Sequence, residues 1–195
     1  MEPFRPTRGG GARAWLAAPE ASLLRSLVGQ VLALIAPDGD GQQPVSWNNV
    51  ADLQAQLDAP SPNALLGAAE DPPNTPDDPV LARLLPDGYR DDPDAAGEFR
   101  KYTEPGLRTA KQQAALQMLD TLPDQGGKIQ LTSEQAQAWL KALNDVRLAL
   151  GVRLDVTEDF EHQWSKLKRD DPQWAAYEVY AWLGAVQESL VQALA

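Results

Sequence analysis

The sequence contains no cysteine, and its 195 residues include one histidine and two methionines. Without thiols the chain forms no disulfide, presents no thiolate nucleophile and assembles no cysteine zinc site. No run approaches the roughly 18–20 continuous apolar residues of a membrane span. The opening MEPFRPTRGGGARAWL lacks the apolar core of a secretory signal. These absences lead to the expectation of a soluble cytoplasmic protein with no membrane partner. A phosphate loop, a nucleophile elbow and a dinucleotide fingerprint are missing too. Gly9, Gly10 and Gly11 precede a strand candidate instead of opening a helix after one, so they form no phosphate cradle. Carboxylates are plentiful, but no acid is paired with a base in a catalytic pattern. The reading is of a non-enzymatic protein with no cofactor and no metal.

Basic residues are absent from one long segment. From Ala36 to Pro79 there is no Lys or Arg, while the same stretch carries eight acids and eight of the sixteen prolines. The formal net charge is −11, yet outside this segment 20 acids face 17 bases. The chain therefore reads as a single domain over residues 1–195, with a nearly balanced body and an acidic, proline-rich insertion at residues 36–79. Affinity for phosphate backbones rests on clustered Lys and Arg, so direct nucleic-acid binding is not expected. The insertion holds one helix candidate, with Ser46 as cap and Trp47, Val50, Leu53 and Leu57 on one face. Its remainder, including AAEDPPNTPDDP, has the composition of loop or disorder.

What is present is mostly helical periodicity. Leu23, Leu24, Leu27, Val31, Leu34 and Ile35 recur at helical spacing after Pro19. Three Asp-Asp-Pro triplets, at 77–79, 91–93 and 170–172, each precede an apolar pattern. In each, the second Asp suits an N-cap and the Pro suits the next position. Glu104-Pro105 is expected to break the second of these helices from a longer one whose inner side carries Leu107, Ala110, Ala114, Met118 and Leu122. Thr132 and Gln135 form a capping-box pattern. They open a helix with Ala136, Trp139, Leu140, Leu143, Val146 and Leu150 on one face, and Gly151 suits its end. A short helix after Thr157 should turn Phe160, Trp164 and Leu167 inward. The last helix is apolar over a wide arc, through Trp174, Tyr177, Val179, Trp182, Leu183, Val186, Leu190 and Leu194. ARAWLA and KIQL are the strand candidates. LLRSLVGQVLAL echoes WLKALNDVRLAL, and each follows one of those strands, so the two strands could pair. The predicted fold is mainly α: a compact helical domain of about six helices with a small two-stranded sheet.

Several constellations invite a functional reading beside a bland one. His162 has Glu158 four residues before it and Glu161 adjacent, a set that could hold a metal in a small enzyme or metal protein. A solvated helix face is the plainer account, because metal sites gather ligands from several elements. Asn144, Asp145 and Arg147 put polar groups into an otherwise apolar helix, and Arg153 follows. They could join that helix to the segment 90–100 through a buried network, or simply face solvent. The three C-terminal helices also permit a helix-turn-helix arrangement, whose basic face would rest on Lys166, Lys168 and Arg169 alone. Six tryptophans leave room for exposed aromatic surface and a homodimer.

The stretch LLPDGYRDDPDAAGEFRKYTE is locally helix punctuation with balanced charge. Capping alone does not require Tyr89, Arg90, Phe99 and Arg100 together. The expectation is a structural junction in which Tyr89 and Phe99 enter the core and Arg90 and Arg100 are tied to carboxylates or carbonyls. If both arginines instead lay free on one exposed face, the stretch would read as a partner-binding site. DDPVLARLLPDGYRDDPDAAGEFRKYTEPGLRTAK, with WLKALNDVRLALGVRLDV, resembles an actinobacterial family of unknown function that includes oxidative-stress transcriptional regulators of the AosR type. The resemblance is strongest from Asp78 to Val156. It implies a cytoplasmic regulator that acts through a protein partner, a sigma factor or an RNA polymerase subunit, under redox control by a cysteine pair. This chain departs from that pattern at the sensor, since it has no cysteine to carry the switch.

Overall fold

The computed structural model describes residues 1–36, 76–89, 92–169, 171 and 173–195. The helix expected around Trp47 to Leu57, nearly all of the acidic segment and Arg90 lie outside them. Among the described residues the chain forms strands β1 (Glu2–Pro6) and β2 (Ala12–Leu16), then helices α1 (Ala18–Ile35), α2 (Pro79–Leu84) and α3 (Pro93–Thr121). Strand β3 (Gly127–Leu131) follows, and then helices α4 (Ser133–Arg153), α5 (Phe160–Lys166) and α6 (Trp174–Leu194). The protein is mainly α, as its periodicities predict.

The sheet has three antiparallel strands in the order β1-β2-β3. β2 and β3 pair from Ala12–Leu131 to Leu16–Gly127, which joins the two strand–helix units. β1 is a strand that the sequence reading missed. Two prolines in five residues hide it, but at a sheet edge proline costs no inner ladder bond, and Phe4 alone points into the core. Gly126 makes the turn into β3. It sits at φ +72°, and a Cβ there would lie 2.6 Å from the Ala18 nitrogen.

The core lies between the inner face of the sheet and the packed helices. Trp139 is fully buried at its centre, edge-on to Phe4 with ring centroids 5.7 Å apart. Its indole N–H donates to the Thr121 hydroxyl at 2.7 Å, tying α4 to the end of α3. Leu183, Val186 and Leu190 bring α6 against the same core. α1 is long and apolar enough by composition to cross a membrane. Here Leu24, Val28, Val31 and Ile35 are buried with residues of α3 and α4, which is the position of a core helix.

The caps follow the sequence closely. Asp78 accepts from the Val80 and Leu81 amides, Asp92 accepts from Ala95, and Thr132 and Gln135 close a reciprocal capping box. The third triplet acts later than expected: Asp171 accepts from the Gln173 amide and α6 begins at Trp174.

Three expectations are corrected. Pro105 does not break a helix, for α3 runs through it from Pro93 to Thr121. An interior proline costs about 3 kcal/mol. Here the carbonyl that loses its partner belongs to the exposed Lys101, where water can reach it, and ion pairs four residues apart, Arg100–Glu104 and Glu104–Arg108, brace the turn. Leu107 and Ala110 are exposed, because the inward face of this part of α3 runs through Ala96, Arg100 and Arg108 instead. Gly151 does not end α4. The helix continues to Arg153, Asp155 takes the left-handed conformation at φ 50°, and Gly151 lies under the Tyr180 ring.

Candidate functional site

The junction between α2 and α3 is built around one guanidinium. Arg100 is buried, 4 % exposed, near the start of α3. Its Nη2 donates to the Leu85 carbonyl at 3.0 Å and to Asp87, Nε donates to Asp87 at 3.2 Å, and Nη1 donates to Glu104 at 2.5 Å. Glu104 also accepts from Arg108 Nε at 2.7 Å, and Arg108 Nη1 donates to the Ile35 carbonyl at 3.1 Å. A single chain of charge-assisted bonds thus links the loop after α2, two turns of α3 and the end of α1. Each group in it satisfies the next, as a buried ionic cluster requires.

This cluster holds an aromatic pair at the surface. Tyr89 and Phe99 meet edge to face, with centroids 5.6 Å apart and planes at 87°. They do not enter the core as expected: Tyr89 is 51 % exposed and Phe99 45 %. The reason is Arg100. It takes the inward position on α3, and its neighbour Phe99 is turned out over Gly88, whose missing side chain makes room for the ring. Tyr102, 82 % exposed, and Leu107 extend the apolar surface along α3. The groove beside them, floored by Leu85, Pro86 and Gly88, is shallow, with a cavity volume of about 20 Å³. Small-molecule pockets usually measure about 300–1,000 Å³. The surface suits a contact better than a substrate.

The other residues singled out from sequence are dispersed. Asp145 on α4 is buried and pairs with Lys111 of α3 at 2.6 Å, not with segment 90–100. Arg147 turns to α6, donating to Gln187 at 2.8 Å and lying 5.3 Å from the Tyr180 ring centroid. Asn144 is exposed, and Arg153 reaches Asp78 at 3.8 Å. Among the described residues these groups tie α4 to α3, to α6 and to the start of α2. His162, Glu158 and Glu161 are exposed, and no group of three potential metal ligands occurs among the described residues.

Sequence reasoning missed Asp87, Arg108 and Lys111 as partners. A signal for one of them was present. Arg100, Glu104 and Arg108 stand at four-residue spacing, which reads as a ladder once the helix is allowed to continue through Pro105. Asp87 and Lys111 had no such signal, because their partners lie 13 and 34 residues away.

The electrostatics of the two ion pairs oppose each other. Burial alone would raise the Glu104 carboxyl, but hydrogen bonds and charge from Arg100 and Arg108 outweigh it, and its pKa falls below the ordinary value. Burial raises the Asp145 carboxyl above its ordinary value, and Lys111 offsets this only in part. A depressed carboxylate contributes stability that is present above its unfolded pKa and lost as pH falls through its folded one. A raised carboxylate does the reverse, and stability falls as pH rises through its window. Glu104→Gln should therefore flatten the loss of urea stability between about pH 5 and 3, and Asp145→Asn should steepen it. Identical acid limbs in both variants would contradict these assignments.

Fold and junction together define a mainly α protein in which a small antiparallel sheet and a buried arginine cluster position an exposed aromatic surface. The chain belongs to the family described as domain of unknown function DUF2017, which matches residues 1–194. It is 37 % identical over 195 residues to the oxidative stress regulator AosR of Mycobacterium bovis, covering 93 % of this chain and 81 % of that protein. The oxidative stress regulator AosR of Mycobacterium tuberculosis H37Rv matches at the same identity and coverage. No solved structure matches. These relatives are named as regulators, which supports a regulatory role.

Proposed function

We propose that this protein is a non-enzymatic cytoplasmic regulator that works by binding a component of the transcription machinery, a sigma factor or an RNA polymerase subunit. The observation that carries the reading is its similarity along nearly the whole chain to proteins named oxidative stress regulators. The geometry is in keeping with a binding role. The Tyr89–Phe99 pair and Tyr102 are aromatic, exposed and held on a braced helix, and aromatic side chains are enriched at protein interfaces. The chain has no thiol, so the reading includes no cysteine redox switch within it.

Affinity purification of the tagged chain from its own host, with the captured proteins identified by mass spectrometry, tests this. A sigma factor or RNA polymerase subunit should be enriched, and replacing Phe99 and Tyr102 together with serine should lose it. Recovery of neither class of protein from cells growing with or without peroxide would refute the reading.

A further inference from the structure

The outward face of the sheet gathers positive charge that the sequence scatters. Along β2, Ala12, Ala14 and Leu16 are buried while Arg13 and Trp15 face out. The register sets Arg5 of β1 opposite Arg13, and sets Lys128 of β3 opposite Trp15. Arg8 lies in the turn between β1 and β2, and all four cations are exposed. Trp15, 47 % exposed, stands among them. None of the four forms an ion pair or side-chain hydrogen bond among the described residues. Glu2 is the acid on this part of the sheet.

The arrangement does nothing for the free protein. Like charges opposite each other on neighbouring strands repel, and the indole gives up packing by facing water. Arg5 and Arg13 are nevertheless cross-strand neighbours in a chain whose formal net charge is −11. Arg and Trp are the side chains that most often anchor protein interfaces, Arg by bidentate bonds to carboxylates and Trp by buried area.

We propose that this face docks a short acidic segment of a partner protein, with Arg5, Arg13 and Lys128 pairing its carboxylates and Trp15 packing against its chain. Charge complementarity identifies the occupant. Three strands about 4.8 Å apart make a patch roughly 10 Å across, which matches a few acidic residues on an extended peptide. Four cations with an acid among them are too few to track the continuing phosphate line of a nucleic acid. The inference is independent of the regulatory reading, because it concerns a different face and does not require the partner to belong to the transcription machinery.

Fluorescence anisotropy with two labelled probes, a short Asp- and Glu-rich peptide containing one Phe and an oligothymidylate, tests the proposal. The peptide should bind at low salt and weaken as salt is raised. Arg13→Glu should reduce its affinity about tenfold or more, and because the new carboxylate faces Arg5 the fold should keep its circular dichroism and melting temperature. Trp15→Ser should weaken binding as well, whereas Lys168→Glu, an exposed charge reversal just after α5, should not. Lack of saturable peptide binding, or equal loss from Arg13→Glu and Lys168→Glu, would overturn the proposal. Tighter binding of the oligothymidylate, dependent on Arg13, would overturn it in favour of single-stranded nucleic acid.

Discussion

Replacing Arg100 with alanine is expected to lower the unfolding free energy by about 3–5 kcal/mol, the usual result of removing one partner from a buried ionic cluster. Two carboxylates, Asp87 and Glu104, would lose their shared guanidinium, and the Leu85 carbonyl would lose its donor. Filling the volume without the charge does not help, so Arg100→Met should be nearly as damaging. Pairing Arg100→Met with Glu104→Gln should recover part of the loss, because less uncompensated charge then stays inside. Urea unfolding followed by circular dichroism measures all three. A cost below about 1 kcal/mol for Arg100→Ala, typical of a surface pair, would show that the guanidinium does not organise the junction. The same variant carries a functional expectation. Phe99 is turned outward because Arg100 occupies the inward position, so the aromatic pair should lose its fixed geometry when Arg100 is removed.

The second large effect is expected at Trp139. Truncation to alanine opens a cavity at the centre of the core and leaves the Thr121 hydroxyl without its indole donor, for a cost of about 3–5 kcal/mol. Trp139→Phe keeps much of the packing and loses the hydrogen bond, and should cost roughly 1–2 kcal/mol. The gap between the two variants separates packing from polar tethering. If both cost the same, the indole N–H would be the main link between α4 and α3, and packing against Phe4 secondary.

Legibility from sequence varied with the range of the interaction. Caps at Asp78, Asp92 and Thr132 were readable because the donor amides lie two or three residues away. The apolar faces of α1, α4 and α6 were readable because burial repeats with the helical turn. Pro105 was misread because a local penalty of about 3 kcal/mol was weighed without the ion-pair ladder that spans it. β1 was passed over because two prolines obscure a five-residue edge strand whose one core side chain is Phe4. Tyr89 and Phe99 were placed in the core on residue type alone. Which of two adjacent residues, Phe99 or Arg100, points inward depends on Asp87 and Leu85, which belong to another element.

By itself, then, the sequence determined the helical character, the starts of α2, α3 and α4, the family and the absence of any thiol chemistry. All of these depend on residue types at short spacing. The tertiary structure alone decided which charges are buried and which are gathered. It sank Arg100 among carboxylates from a loop and a helix turn, and it drew Arg5, Arg13 and Lys128 onto one face from opposite ends of more than a hundred residues. The physical reason is common to both: charge acts through distance in space, and no local pattern records which distant segment a side chain will meet.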